Sequence, residues 1–185
     1  SVRTYVRRII GQAVNDWGYG YLKLDGIACG LAVNTLNQNA FKEDEYGEAG
    51  LSDSAKTQMQ AMREGLGIVR EAAKGAFIMT CCAPQNMRSM GACVGLTDAM
   101  RIGPDNTADW KGMMRGLRFS CYSYFLNRRV WYNDPDPFFV RESFPLNEAR
   151  CLASWVALSG QMNSTSEKYG ELPPERLDLI RRTLP

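Results

Sequence analysis

The chain has 185 residues, of which 45% are hydrophobic and 23% charged, with a net charge of +2, the balance of an ordinary globular domain. So small a charge argues against nucleic acid or an anionic membrane surface as partner, and no apolar run reaches the ~18 residues of a transmembrane helix. The sequence contains no histidine, which excludes Ser-His and Cys-His nucleophile systems and histidine-based metal sites.

Helices and strands can be placed from apolar residues at helical spacing and from short apolar runs bounded by Gly or Pro. Asp53 is predicted to cap the second helix, Gly75 to close it, and Asp109 to cap the third. In chain order the pattern predicts a helix over 3–16, a buried strand over 21–25, a helix over 53–74, strands over 76–80 and 99–102, a helix over 110–127, a strand over 130–132, a helix over 147–158, a short strand over 160–163 and a helix opening at 173–174.

The alternation of strands and helices is typical of a parallel sheet with crossover helices, and therefore of the α/β class. The long segments 27–52 and 81–95 are predicted as loops. After the first loop, strand ends recur at close to the ~30 residues per unit expected of a (β/α)₈ barrel. These ends fall near residues 25, 80, 103, 133 and 163.

Two aspartates follow strands that are next-but-one neighbours, Asp25 and Asp105. In a barrel, alternate strands send side chains into the same layer, and functional groups gather at the C-terminal strand ends. Retaining glycosidases need two carboxyl groups roughly 5–5.5 Å apart, one as nucleophile and one as acid/base. Either aspartate alone could equally be a helix N-cap.

The six cysteines lie in or beside apolar runs and form no CxxC pair, which argues against a zinc ribbon and favours reduced, packed thiols. No metal or organic cofactor is implied, because carboxylate chemistry of this kind needs none. The cysteines are Cys29, Cys81, Cys82, Cys93, Cys121 and Cys151.

Three ordered segments resemble a known family. Residues 17–26 (WGYGYLKLDG) are similar to the nucleophile strand of the melibiases, the α-galactosidases of glycoside hydrolase clan D, with Trp17 predicted to lie in the core. Residues 101–105 (RIGPD) resemble their acid/base segment, and residues 131–136 (WYNDPD) the end of their seventh strand. The helix that contains 155–160 (WVALSG) also fits.

The resemblance implies a retaining exo-glycoside hydrolase that cleaves terminal α-galactosyl residues. Asp25 would be the nucleophile that forms a glycosyl-enzyme ester. Asp105 would be the general acid and then the base that activates water. The implied partner is an α-galactoside oligosaccharide or glycoconjugate.

The resemblance also implies substrate-binding residues. Lys23 lies two residues before the nucleophile on the same strand, points the same way, and could both bind hydroxyls and keep the carboxylate ionised. Arg101 would contact the sugar near its 2-position and orient the acid/base, although a structural ion pair is equally compatible. Cys82 stands where relatives place a substrate contact, although a packed thiol would also fit. Asp134 would support the site from an Asn-Asp-Pro turn.

The aligned segments begin at the helix before the family's fourth barrel strand. Residues 1–185 are therefore expected to form the C-terminal part of a (β/α)₈ catalytic barrel, with about strands 4 to 8 present. The remainder of the barrel would come from the same or another chain, because an open arc of strands leaves unpaired edges.

Other interpretations remain open. The sugar could be an α-N-acetylgalactosaminide or a β-L-arabinopyranoside. The chain could be a non-catalytic carbohydrate-binding remnant of the same barrel, or belong to another barrel family such as an α-glucosidase. It could also be a purely structural α/β domain whose aspartates cap helices.

Overall fold

A computed structural model describes residues 1–26, 50–81 and 91–184. The loops expected at 27–52 and 81–95 lie largely outside these ranges. Contacts divide the chain into two compact units, Ser1–Arg101 and Ile102–Pro185, and each is described by itself. No helix in the described ranges is both long and apolar enough to cross a membrane.

The first unit alternates helices with parallel strands, as the sequence predicts. β1 pairs with β2, with Leu24 opposite Thr80, and β2 pairs with β3, with Thr80 opposite Met100. The C-terminal ends of these strands therefore meet at one edge. The elements are α1 (Val2–Gly11), continued as a π-helical turn (Gln12–Asp16), β1 (Tyr21–Leu24), α2 (Gln58–Ala72), β2 (Phe77–Thr80) and β3 (Ala99–Arg101).

The core of the first unit lies between β2 and the helices, where Ile78 is 1% exposed. β1 alternates exposed and half-buried residues, so the predicted burial of this strand is wrong. Within the described part of the unit it pairs only with β2, which leaves Tyr21 47% exposed. Trp17 is 64% exposed and packs edge-on against Tyr19, so its predicted place in the core is also wrong.

Helix α2 begins and ends at residues that the sequence did not indicate. Its N-cap is Thr57, whose hydroxyl accepts from the Gln60 amide at 3.2 Å while the Gln60 side chain accepts from the Thr57 amide at 2.9 Å. This capping box satisfies two orphan amide groups, so the predicted cap at Asp53 is wrong. At the other end Lys74 takes the left-handed conformation (φ 51°) that the sequence assigns to Gly75.

The second unit contains three α-helices and one strand among its described residues. Asp109 caps the first of them, as predicted, by accepting the Gly112 amide at 2.9 Å. Pro174 occupies the first position of the last helix, where its fixed φ suits the chain. The elements are α3 (Trp110–Ser123), followed by a 3₁₀ turn (Tyr124–Leu126), β4 (Tyr132–Asp134), α4 (Leu146–Ser159), a 3₁₀ turn (Tyr169–Glu171) and α5 (Pro174–Arg181).

Of the two strands predicted in this unit, one is present and the other is not. β4 covers Tyr132–Asp134, two residues later than the predicted 130–132, so its polar residues lie within the strand. Residues 160–163 form no strand, because Gly160 turns the chain with a φ of 61°. One strand-like hydrogen bond remains, from the Met162 amide to the Asn133 carbonyl at 2.9 Å.

A buried carboxylate anchors the segment that follows β4. Glu167, whose side chain is 3% exposed, accepts the backbone amides of Val140 at 2.6 Å and Arg141 at 3.0 Å and the Arg141 Nε at 3.1 Å. Arg176 donates to the carbonyls of the same two residues at 2.7 and 2.8 Å. These bonds satisfy backbone groups beside a core of Phe138, Phe144, Leu152 and their neighbours.

The cysteines confirm half of the expectation placed on them. Cys81 and Cys93 are buried, as packed thiols should be. Cys121 and Cys151 are free but exposed, so the prediction that these two thiols are packed is wrong. They lie on the exposed faces of α3 and α4. Cys29 and Cys82 lie outside the described residues.

Candidate active site

The end of β1 presents the predicted nucleophile beside a tight turn. Asp25 comes directly after the strand, and its Oδ1 accepts the Gly26 amide at 2.8 Å. Gly26 has a φ of 61°, a conformation that favours glycine. Lys23 is two residues earlier, and both charged side chains are exposed. The strand therefore presents an ammonium and a carboxylate on one face.

The end of β2 contributes a residue that the sequence did not single out for the site. The Cys81 amide donates to the Leu24 carbonyl at 2.7 Å, which continues the β1–β2 ladder to the level of Asp25. The Cys81 thiol, 2% exposed, hydrogen-bonds the Asp25 carboxylate. Cys82, the predicted substrate contact, lies outside the described residues. A cysteine in an apolar segment looks like core, so no signal distinguished Cys81.

The end of β3 brings a buried cation to the same thiol. Arg101 is 3% exposed, and its Nη1 donates to the Cys81 Sγ at 3.7 Å. Because Thr80 pairs with Met100, these two residues occupy the next level of the ladder. Three adjacent strand ends therefore supply Asp25, Cys81 and Arg101 as one connected group.

This group favours the ionised form of Asp25. Its carboxyl pKa is lowered, first by the Gly26 amide, next by the Cys81 thiol, and to a smaller extent by the charges of Lys23 and Arg101, while burial opposes the shift. The sequence predicted that the charge of Lys23 would favour the ionised form of Asp25. The two larger causes are hydrogen bonds to the charged form, which depend on strand register and turn geometry.

In the second unit, the predicted acid/base lies on a loop held by its neighbour. Asp105 is exposed. Asn106 is buried; its amide donates to Asp136 Oδ2 at 2.6 Å, and its Nδ2 donates to the carbonyls of Pro135 at 3.0 Å and Pro137 at 3.3 Å. The Asp105 loop is thus fixed to the turn after β4. Asn106 was not singled out from the sequence.

Asp134 lies in β4 at 5% exposure and forms part of that turn. Its Oδ1 accepts the Asp136 amide at 3.0 Å, and Asp136 has a φ of 74°. Such a side-chain bond stabilises a tight turn, which is the structural role the Asn-Asp-Pro pattern suggests. Helix α3 approaches closely here, since a Cβ on Gly116 would lie 2.7 Å from the Asn106 Nδ2.

Each unit therefore groups its own predicted residues. In the first, Lys23, Asp25 and Arg101 come together around Cys81. In the second, the loop of Asp105 is joined to the turn of Asp134. Among the described residues, no group of three Cys, Asp or Glu side chains could hold a metal ion.

No protein-family model matches the chain, but solved structures do. The chain is similar to the α-galactosidase of Thermus thermophilus in complex with stachyose, with a TM-score of 0.68 and 24% identity, over 100% of this chain and 38% of that one. The complex of that protein with p-nitrophenyl α-D-galactopyranoside gives a TM-score of 0.70 at 24% identity, over 100% and 37%.

The fold is α-galactosidase-like. An isomalto-dextranase of Arthrobacter globiformis T6, complexed with panose, is similar at lower identity: TM-score 0.58 and 15%, over 98% of this chain and 31% of that one. The α/β class predicted from the sequence is confirmed, and its parallel strands belong to a glycoside hydrolase-like fold. The chain spans 38% of the length of the α-galactosidase.

Proposed function

We propose that this chain is the C-terminal part, about strands 4 to 8, of the (β/α)₈ barrel of a retaining exo-glycoside hydrolase that cleaves terminal α-galactosyl residues. The observation that carries the proposal is the position and the lowered pKa of Asp25. Its carboxylate stands at a strand end in an α-galactosidase-like fold, and its pKa is lowered by the groups around it. A nucleophile must be ionised before attack, and these neighbours favour that state.

In the proposed reaction, an Asp25 oxygen attacks the anomeric carbon while Asp105 donates its proton to the leaving oxygen. The glycosidic bond breaks and a glycosyl ester of Asp25 forms. Asp105, now ionised, takes a proton from water, and the resulting hydroxide equivalent displaces the Asp25 carboxylate from the anomeric carbon. Two inversions give net retention, and both aspartates return to their starting states.

We assign the remaining residues to binding and support. Lys23 is exposed beside Asp25 and can donate hydrogen bonds to sugar hydroxyls. Arg101 would contact the sugar near its 2-position, and Cys82 would be a further substrate contact. Asp134, buried within the turn after β4, would act on the site by fixing the chain around Asp105.

The α-galactosyl specificity rests on the sequence resemblance and is supported by the Thermus protein, solved with stachyose and with a nitrophenyl galactoside. The similarity to an isomalto-dextranase complexed with panose favours a second candidate, hydrolysis of α-glucosides by the same two carboxylates. An α-N-acetylgalactosaminidase and a non-catalytic sugar-binding barrel are further outcomes of the same assay.

The test is hydrolysis of p-nitrophenyl α-galactoside by the full protein, with p-nitrophenyl α-glucoside and α-N-acetylgalactosaminide in parallel. Proton NMR should detect the α-anomer of galactose first. Asp25→Asn and Asp105→Asn should each lower kcat by at least about 10³-fold. A folded protein that binds galactose but cleaves none of these substrates would move the proposal to a sugar-binding barrel.

A further inference from the structure

The strand ends of the first unit contain an interaction that the proposed chemistry does not require. A retaining mechanism needs the two carboxylates and no thiol. Yet Cys81 is buried between a guanidinium and the carboxylate of Asp25. A thiol is a weak donor and a weak acceptor, and in this position it does both.

We propose that Cys81 is a positioning residue, which connects Arg101 to Asp25 and holds the carboxylate in the orientation required for attack. This inference rests on the proposed function of Asp25 as nucleophile. Cys81 itself forms no bond to the sugar in this role.

The backbone explains why the thiol is held so closely. The Cys81 amide is bonded to the Leu24 carbonyl at 2.7 Å, so the residue stands level with Asp25 on the neighbouring strand. The Arg101 Nη1 approaches the sulfur at 3.7 Å from the other side. A guanidinium that donates to sulfur polarises the S–H bond, and a polarised thiol donates more strongly to a carboxylate.

The Gly26 amide completes the arrangement by donating to Asp25 Oδ1 at 2.8 Å. One carboxylate thus receives an amide from its own turn and a thiol from the adjacent strand. Two donors from different directions restrict rotation of the carboxylate, which a single donor would allow. Such preorganisation is what a nucleophile needs for a near-attack geometry.

The test replaces Cys81 by Ala and by Ser in the full protein, with Cys93→Ala as the matched control. Cys93 is another buried thiol of the same unit, but it pairs with Thr80 rather than with a carboxylate. The pKa of Asp25 is followed by ¹³C NMR of labelled aspartate carboxyls, with its resonance assigned by its loss in Asp25→Asn.

Cys81→Ala should raise the pKa of Asp25, shift the acidic limb of kcat/KM to higher pH and lower kcat/KM by about 10- to 100-fold. Cys81→Ser, which retains a donor, should restore most of both properties, and Cys93→Ala should change neither. An unchanged Asp25 pKa in folded Cys81→Ala overturns the inference. If Cys81→Ala fails to fold, Cys81→Val, which fills the buried space without a donor, takes its place, and an unchanged Asp25 pKa in that folded variant likewise overturns the inference.

The NMR titration is independent of turnover. Absence of α-galactosidase activity with the expected titration would overturn the proposed function while leaving the Cys81–Asp25 link intact. If the protein is active but the pKa of Asp25 is the same with and without the Cys81 thiol, the Cys81–Asp25 link is overturned and the proposed function stands.

Discussion

At the scale of single residues, the candidate site depends on hydrogen bonds that cross from one strand end to the next. The sequence indicated Asp25, Lys23 and Arg101, because functional groups gather at the C-terminal ends of barrel strands and the family segments contain these residues. It did not indicate Cys81, since a thiol within an apolar run satisfies the core pattern equally well. The link became visible only when the register between β1 and β2 was known.

The effect of the Lys23 charge on the pKa of Asp25 can be measured by varying the salt concentration. Lys23→Met should raise the pKa of the Asp25 carboxyl, because it removes a nearby positive charge. Both side chains are exposed, so salt should screen the interaction. The measurement is NMR titration of Asp25 at low and high ionic strength in both proteins.

The difference between the two proteins should be largest at low salt and shrink at high salt. Lys56→Met, which removes a lysine paired with Glu64 at 2.7 Å rather than with Asp25, serves as the control. If the difference in Asp25 pKa between the two proteins is the same at low and high ionic strength, Lys23 acts on Asp25 through structure and not through its charge.

At the scale of secondary-structure elements, helix ends were the hardest features to place from the sequence. Asp53 and Thr57 are both good N-caps, and only the reciprocal bonds with Gln60 select Thr57. Similarly, Gly75 is the expected left-handed residue after α2, yet Lys74 adopts that conformation. Local propensity offers near-equal choices at such points, and contacts beyond the sequence neighbours decide between them.

Helix α3 is predicted to control the Asp105 loop through Gly116. Gly116→Ala would place a Cβ 2.7 Å from the Asn106 Nδ2 and 2.8 Å from the Pro135 carbonyl oxygen. Because the neighbouring atoms include backbone, we expect a loss of about 1–3 kcal/mol in the free energy of unfolding and reduced kcat. Urea denaturation and the nitrophenyl galactoside assay measure the two effects.

Gly65→Ala in α2 is the matched control, since its new Cβ meets nothing within 4 Å among the atoms of the described structure. It should stabilise the protein by about 0.5–1 kcal/mol through helix propensity. If both substitutions stabilised the protein equally, the close approach of α3 to Asn106 would be refuted.

At the scale of the whole molecule, alternation of apolar runs and helical patterns predicted the α/β class and the order of the elements. The first three strands and all the helices of both units were located to within a few residues. The expected strand at 160–163 failed because its glycine turns the chain and Asn163 bonds instead to Thr183 at 2.8 Å. Aspartate and asparagine mark strand ends and turns alike, so the sequence could not separate these alternatives.

Alkaline pH should weaken the first unit through Cys93. Burial raises the pKa of this thiol to about 11, above the ordinary value of 9.0. The neutral thiol is therefore favoured in the folded state, and the stability it provides is complete below pH 9 and is lost as pH rises towards 11. Thermal unfolding of the protein should show this loss.

Cys93→Ala should be less stable overall, but its stability should not include the pH-dependent contribution of the Cys93 thiol. The difference in Tm between the two proteins should therefore narrow as pH rises from 9 towards 11. Tyrosine and lysine titrations are common to both proteins and cancel in the difference. A constant difference across the range would show that the Cys93 thiol is not buried in solution.

The ladder between β1 and β2 has a consequence for how folding can be followed. A slip of one residue along the pair would reverse the face of every side chain on β1 and carry Asp25 away from the level of Cys81. The acidity of one carboxyl therefore reports on correct strand alignment. A refolding intermediate with paired but misaligned strands would show an aspartate of ordinary acidity, and the signal would change only when the native alignment is reached.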